Sequence, residues 1–441
     1  MTKKTNERVV AEKAFEAASV TRGYAGRTLY VNLSDATIAS QPVTQQMKDL
    51  FVGGRGFGLW RLWNAVDGET AWNDPRNEIV IGAGPIGGVT TYAGAGKSLV
   101  VSLSPTTGSV IDSNVGGYVG PYLKFSGWDA LELQGKADRD VILFIDGDEG
   151  TVRLLESPDE DANTHVLSER LMKRFAASES PKDLLAIATV TAGAGAEHAL
   201  FGCLNFSFFD MKRRAVRVKQ AGRGGIGTVF RDKHLAGVVV KRTGITPDAN
   251  GAADPERVKR AGERITQEIL SLDASQNDMR RVGTAHLVEI MNEYDLLPVK
   301  NYRFGRHPQA EKVASPVWRE RFSQGMPDGC WLGCTMSCSH GVDDFELKTG
   351  PYKGSRVLVD GPVRNGRRRD EHGDLRSGLR PRDELLLRHL RAGHDLLHHV
   401  DGVRHGVLRS RDPRQGEDRR ARSSLRRCGR LARCAAPDGP R

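Results

Sequence analysis

Between Gly26 and Arg242 the chain repeats one device: a short apolar run closed off by Gly, Pro or Asp. RTLYVNLS, NEIVIGAG, KSLVVSLSP, DALELQGK, DVILFIDGD, TVRLLES, DLLAIATV and LAGVVVKR follow one another at close spacing. Runs of about four to eight residues bounded by turn formers are strands. So many in succession predict a large, mostly antiparallel sheet system, interrupted by one helix, THVLSERLMKRFAAS at 164–178, whose apolar residues recur at helical spacing. After Arg242 the pattern changes. Asp254-Pro255-Glu256 supplies an N-cap, a proline at the first helical position and an acidic first turn, ahead of RVKRAGERITQEILSL. GTAHLVEIMNEYDLL at 283–297 reads as a second helix. The class is therefore α+β: a β-rich domain over 26–242 behind an N-terminal extension, 1–25, then the start of a mainly helical domain over 243–362, with the boundary in the turn-rich GITPDANGAA.

The last part of the chain is of another kind. Residues 363–441 contain no Lys, Ile, Phe, Tyr, Trp, Met or Thr, and hold 21 Arg against 11 Asp and Glu. The formal charge of +10 resides at that end, and the body is neutral. Such a tail cannot build an ordinary core and is expected to be disordered. A nucleic-acid-binding tail would normally mix in Lys and interleave aromatics for base stacking, and this one does neither. Translation of a GC-rich gene in the wrong frame explains the composition better, so no nucleic-acid partner is expected.

The six cysteines show no regular pairing, the N-terminus has no apolar signal segment, and no apolar run reaches the roughly 18 residues that span a bilayer. A reducing cytoplasm, no membrane and metal rather than disulfide chemistry are the corresponding expectations.

Three glycine-rich stretches suit close approach to an anionic group: GGRGFG at 53–58, AGPIGGVTTYAGAGK at 83–97 and AGRGGIG at 221–227. The third contains G-x-G-x-x-G, but among hairpin-like strands and with no following helix expected, so a dinucleotide site is not indicated. The second ends in Gly-Lys-Ser, yet SLVVSLSP after it reads as a strand, which does not fit a P-loop. Each stretch alone is equally well a set of tight turns. More specific is DGCWLGCTMSC, which places Cys330, Cys334 and Cys338 three residues apart. Thiolates from one loop can hold three irons of a [4Fe–4S] cube, with the fourth Cys coming from elsewhere, and zinc would accept a similar set. Cys203, inside FGCLNFSFF, reads as core; Cys428 and Cys434 belong to the tail; His340 could serve zinc but reads as surface.

Together GRTLYVNLS, GGRGFG, NEIVIGAGP, LSPTTGSVIDSNVGGYVGPYLKFSGWDALELQGKA, AGRGGIGTV and VGTAHLVEIMNEYDLLPVKNYRFG, in this order before the cysteines, resemble the tungsten-dependent aldehyde:ferredoxin oxidoreductases over almost the whole body. The resemblance implies a β-rich base on which two pterin dithiolenes ligate one tungsten, helical domains closing over it, and a [4Fe–4S] cluster relaying electrons to ferredoxin. It implies oxidation of a small-molecule aldehyde to a carboxylic acid, in a homo-oligomer or a larger complex, with an aromatic acyl thioester as the alternative substrate. Carried over by motif, the carbonyls of Asn114 and Ala221 face a magnesium ion that bridges the pterin phosphates. Gly116, Gly117, Gly222, Gly224 and Gly225 bring backbone amides against the cofactor, and Arg55 and Arg223 contact its phosphates or pterin. Lys97 stands where the family usually has an Arg, keeping the charge and losing the planar fork.

Two departures accompany the resemblance. The cysteine spacing is C-x3-C-x3-C where the family usually has C-x2-C-x3-C. And where the family continues G-P-E-Y-E, this chain reads Gly361-Pro362-Val363-Arg364-Asn365-Gly366. Codons for Val-Arg-Asn-Gly, regrouped by one base, can spell Glu-Tyr-Glu-Thr. That places the loss of frame near Pro362 and removes the fourth cluster cysteine, the general acid and base and the substrate pocket from the chain. Little or no activity is expected of it as written.

Overall fold

The computed structural model describes residues 8–360 except 17, 158–162, 274–277, 300–302, 322–328, 339–340 and 347–353. The frame break at Pro362, the tail with Cys428 and Cys434, and His340 lie outside the described residues.

The strands of the base are β1 (Val9–Ala14), β2 (Arg27–Asn32), β3 (Thr37–Pro42), β4 (Ile79–Gly82), β5 (Ser98–Leu103), β6 (Val110–Val115), β7 (Ala130–Gln134), β8 (Val141–Asp146), β9 (Thr151–Glu156), β10 (Ile187–Thr191), β11 (Leu204–Asp210), β12 (Ala215–Ala221) and β13 (Leu235–Lys241). They form a six-stranded sheet ordered β3-β2-β7-β4-β5-β6 and a seven-stranded sheet ordered β1-β9-β8-β13-β10-β11-β12. Only β2/β7 and β8/β13 run parallel, so the expectation of a mostly antiparallel system is met.

The inner faces of the two sheets share one core. Leu29, Val31, Ile79, Ile81, Leu131 and Leu133 come from the first sheet, and Leu143, Ile145, Val190, Phe206, Val238 and Val240 from the second. Side chains alternate along a strand, so the intervening residues face the other way. On β8, Ile142 and Phe144 meet the helix α4 (Thr164–Phe175), which supplies Leu167, Leu171 and Met172. On β5, Val101 and Leu103 meet Leu62 of α2 (Arg55–Ala65). The helix α1 (Gln45–Phe51) joins them through Met47, packed with Phe57. Full burial of each such apolar side chain contributes about 1.5–3 kcal/mol, and strands such as β4, β8 and β10 are buried along their whole length.

Five short helices of the base were not expected, α1 and α5 (Pro181–Leu185) among them. Besides α2, which begins inside GGRGFG, the base contains α3 (Val119–Phe125) and α6 (Ile226–Asp232). All seven residues of α3 and six of the seven of α6 are buried. A helix buried on every side carries no amphipathic stripe, so its sequence gives no helical periodicity. The helix α6 follows directly on AGRGG, which corrects the expectation that no helix succeeds that stretch. The helices α4 and α5 are capped by the side chains of Asn163 and Ser180.

Beyond the base, α7 (Pro255–Ser271) begins as expected, the Asp254 carboxylate accepting from the amide of Arg257. The second expected helix is shorter than its pattern: a 3-10 turn at Gly283–His286 precedes a helix at Leu287–Glu293 that ends before Asp295, whose φ is +56°. No helix among the described residues is long and apolar enough to cross a membrane.

Candidate functional site

The strands β6 and β12 are each one edge of their sheets, and the candidate residues gather where these two edges meet. On β6, Ser98 opposite Val115 sets the register and puts Lys97 level with Gly116. A Cβ placed on Gly116 would lie 3.8 Å from Lys97 Nζ. Four residues back along the strand, Asp112 accepts an ion pair from Arg55 Nη2 at 2.8 Å, which brings the start of α2 to the same strand. Between them Ser113 Oγ accepts from the amide of Arg223 at 3.2 Å. Ser104 Oγ donates to the Gly224 carbonyl at 2.8 Å.

The turn from β12 into α6 needs its glycines. Gly224 (φ +68°) and Gly225 (φ +70°) are left-handed, and an added Cβ would fall 2.5 Å from Ile111 and 2.2 Å from the Leu200 carbonyl respectively. Gly117 takes φ +135° over the Phe208 ring. The structure thus brings Arg55, Lys97, Asn114, Gly116, Gly117, Ala221, Gly222, Arg223, Gly224 and Gly225 to one seam. The side chains of Arg55, Lys97, Asn114 and Arg223 are exposed, whereas Gly116, Gly117, Ala221, Gly222, Gly224 and Gly225 are buried. Three cations stand on the rim and small residues form the floor, an arrangement that suits an extended polyanion lying against backbone.

The cysteine loop seats on the same seam. Cys330 is buried against Gly116, whose Cβ would fall 2.6 Å from Cys330 Cβ and 3.1 Å from its sulfur. Trp331 covers Gly96, where a Cβ would come 2.4 Å from Trp331 Cβ, and its indole N–H donates to the Val89 carbonyl at 3.2 Å. The ring meets Tyr118 edge-on at 4.6 Å, and Tyr118 stacks on Phe208 at 4.6 Å. Two more glycines make close contacts with the second glycine stretch, one from the cysteine loop and one from α7. Gly333 (φ +73°) abuts the Thr90 carbonyl, and Gly262 of α7 abuts that of Thr91.

Cys330 donates its S–H to the Cys334 sulfur. That hydrogen bond, with backbone amides of Gly94, Ser337 and Cys330 directed at the same atom, lowers the Cys334 thiol to about 5, while the bond and burial push Cys330 up against the opposing charges of Lys97 and Lys219. Cys338 is half-buried eight residues on. Among the described residues no three His, Cys, Asp or Glu side chains converge as a metal-holding set. The soft donors and the inward amides nonetheless fit an iron–sulfur group, since amide N–H to sulfur bonds are what such clusters take from a protein.

Cys203 is buried at the start of β11, as expected of a core residue. Asp112, Ser113, Ser104, Lys219, Gly94, Gly96, Trp331 and Tyr118 were missed. Only the tryptophan between two cysteines carried a signal of its own. Clefts of about 480 and 570 Å3 lie elsewhere, around His165 and Arg214 and around Arg139 and Glu197, and none of the candidate residues line them.

Comparison with known proteins agrees with this geometry. The family model for the N-terminal domain of aldehyde ferredoxin oxidoreductase matches residues 28–242, and that for its domains 2 and 3 matches 260–362, stopping where the composition changes. The tungsten-containing aldehyde ferredoxin oxidoreductase of Pyrococcus horikoshii is 30% identical over 283 residues, 64% of this chain and 43% of that protein. The Pyrococcus furiosus enzyme of the same description is 28% identical over 315 residues, 70% of this chain and 48% of that one. An aliphatic sulfonate oxidoreductase, WOR-like subunit, of Pyrococcus furiosus is 26% identical over 361 residues, covering 77% and 52%. The chain spans about half the length of these curated relatives. The fold is shared with the active site complex of a benzoyl coenzyme A reductase in complex with 1,5-dienoyl-CoA, at a TM-score of 0.65 and 19% identity over 90% of this chain and 58% of that one. With both family models matched in order across most of its first 362 residues, the chain belongs to the aldehyde ferredoxin oxidoreductase family.

Proposed function

We propose that this chain is the N-terminal portion of a tungsten-dependent enzyme that oxidises an aldehyde to its carboxylic acid and passes the electrons to a ferredoxin. The observation that carries the reading is the seam itself, where a cationic rim, a glycine floor and the cysteine loop meet along the sheet edge that carries β6. Arg55, Lys97 and Arg223 would neutralise the phosphates of a bis-pterin, and the buried glycines let it approach the backbone. The carbonyls of Asn114 and Ala221 would face a bridging magnesium. Cys330, Cys334 and Cys338 would supply three thiolates to a [4Fe–4S] cluster. When bound, these groups supply the two-electron chemistry by which an aldehyde and water give a carboxylic acid, two protons and two electrons, and the single-electron relay onward. The protein's own work is to bind, to orient and, through Trp331 and Tyr118, to keep water from the sulfurs.

In this reading residues 26–242, joined by β1 from the preceding extension, form the base and 243–362 begin the helical part, in a cytoplasmic protein that acts as a homo-oligomer or within a larger complex. The frame is lost near Pro362, and the chain as written has little or no activity. The likeness to the benzoyl coenzyme A reductase complex is one of fold, so an aromatic acyl thioester stands second as substrate. Frame-restored protein, made anaerobically with tungstate, tests the reading. Dye reduction with a panel of aldehydes supports it, and turnover of an aromatic acyl thioester alone replaces it with the second.

A further inference from the structure

Lys124, on α3, is fully buried and belongs to none of the groups assigned so far. Its ammonium donates to the Gly84 carbonyl in the second glycine stretch. The charge it faces is that of Asp129, itself buried and accepting the amides of Ala25 at 2.9 Å and Gly26 at 2.8 Å, with Lys48 beyond. From the opposite side Asn250, also buried, donates through Nδ2 to the Pro85 carbonyl at 2.8 Å and the Gly87 carbonyl at 2.9 Å. Its own carbonyl accepts from Gly23, and Gly251 accepts from Arg22 at 2.6 Å. Two buried side chains thus claim the carbonyls of Gly84, Pro85 and Gly87 in one loop. That is a costly arrangement to leave half-made, because the buried Gly87 carbonyl would lose the Asn250 amide and the Gly84 carbonyl would keep only the Gly87 amide.

The loop is tied to both ends of the site. At one end, Cβ atoms on Gly53 and Gly54 would lie 3.3 Å from Gly84 Cα and 3.5 Å from its amide nitrogen, so Gly84 sets the height at which Arg55 begins its helix. At the other, Gly87 donates to Gly84, Gly88 donates to Ala95 at 2.8 Å, and the next residue, Gly96, is the floor beneath Trp331. Gly94, between them, points its amide at Cys334.

We propose that Lys124 and Asn250 are positioning residues that hold the segment Ala83–Lys97 in place and thereby seat the cysteine loop. What the seat is for rests on the function proposed above; its existence does not, and the test needs no bound metal. Removing either side chain frees the loop to open locally, which exposes Cys330 and Cys334 without unfolding the base. Cys203, buried in the core beside β11, reports global unfolding in the same sample.

The experiment is timed alkylation of the full chain under reducing, metal-free conditions, followed site by site with mass spectrometry, for the parent, Lys124→Met and Asn250→Ala. Both variants are expected to label Cys330 and Cys334 about tenfold faster while Cys203 keeps its parental rate, the pattern of a local opening. Labelling of Cys330 that is unchanged, or that rises only in step with Cys203, overturns the proposal. Should Lys124→Met fail to fold, Asn250→Ala decides alone by the same two outcomes, since it leaves the buried charge in place.

Discussion

Cys330 and Gly116 pack so closely that a single methyl group on the glycine would stand 2.6 Å from the cysteine Cβ. The strand edge that carries the exposed Asn114 therefore also forms the floor of the cysteine loop. Gly116→Ala must displace one of the two. Overpacking of this kind costs about 1–3 kcal/mol, measurable by urea unfolding, and should release Cys330 to alkylation as well. Parental stability together with parental labelling would show that the contact is not needed.

The buried carboxyl of Glu78, at the head of β4, is pushed up to about 8 by desolvation and by Glu132, and its Oε2 has no hydrogen-bond partner. A folded-state value above the ordinary 4.5 means that the unfolded chain gives up this proton first as pH rises. Glu78 thus costs stability progressively from about pH 4.5 to 8 and by a constant amount above. Lys124 and Lys233, both lowered to about 8 by burial, work in the other direction. Below 8 each burdens the folded state with a buried charge, and the burden lifts between about pH 8 and 10.5. Thermal unfolding across pH should show a shallow minimum near 8, and Glu78→Gln should raise the curve by a few kcal/mol at pH 8 while leaving it unchanged near pH 4. A variant curve parallel to the parent would contradict the assignment.

Arg231 closes α6 against the base. Its guanidinium binds Asp140 at 2.6 Å and Glu197, and donates to the Leu235 carbonyl at 3.1 Å. Arg231→Met leaves the largely buried Asp140 carboxylate with only His234 beside it, at 3.6 Å, at a cost of about 1–3 kcal/mol in denaturant unfolding. Because α6 follows directly on Gly225, the turn carrying Arg223 and Gly224 should exchange its amides faster. Loss of stability below 1 kcal/mol would mean the pair is dispensable.

The reading of residues 363–441 as out of frame makes a prediction at the level of the gene. Sequencing across codons 355–370 of the source should restore a frame continuing Glu-Tyr-Glu after Gly361-Pro362. An uninterrupted frame through VRNGRRR, joined to a tail peptide found by mass spectrometry, would contradict it.

Much of this was legible in the chain. Seven of the eight apolar runs closed by turn formers became strands because each is buried on at least one face, the other, DLLAIATV, opening in α5 before Ile187 starts β10, and the Asp254-Pro255 start of α7 was readable because capping is local chemistry. The glycine stretches and cysteines could be named as candidates, and the structure brings them to one seam. What stayed hidden depended on long-range contact. The strand β6, reading VIDSNV, has no apolar run, because it is an edge strand whose polar residues carry Arg55 and Arg223. The helices α3 and α6 are wrapped by core and show no stripe. Nothing about Lys124 or Asn250 in sequence marks them as buried, since their partners are backbone carbonyls far along the chain.

The central claim is that the seam between β6 and β12 is the cofactor-binding base of a tungsten enzyme. Metal analysis of the frame-restored protein, purified anaerobically from cells supplied with tungstate, tests it most directly. The account predicts about one tungsten and about four irons per chain, with the iron lost in Cys334→Ser and the tungsten reduced in Arg223→Ala. Folded protein that binds neither metal would contradict it.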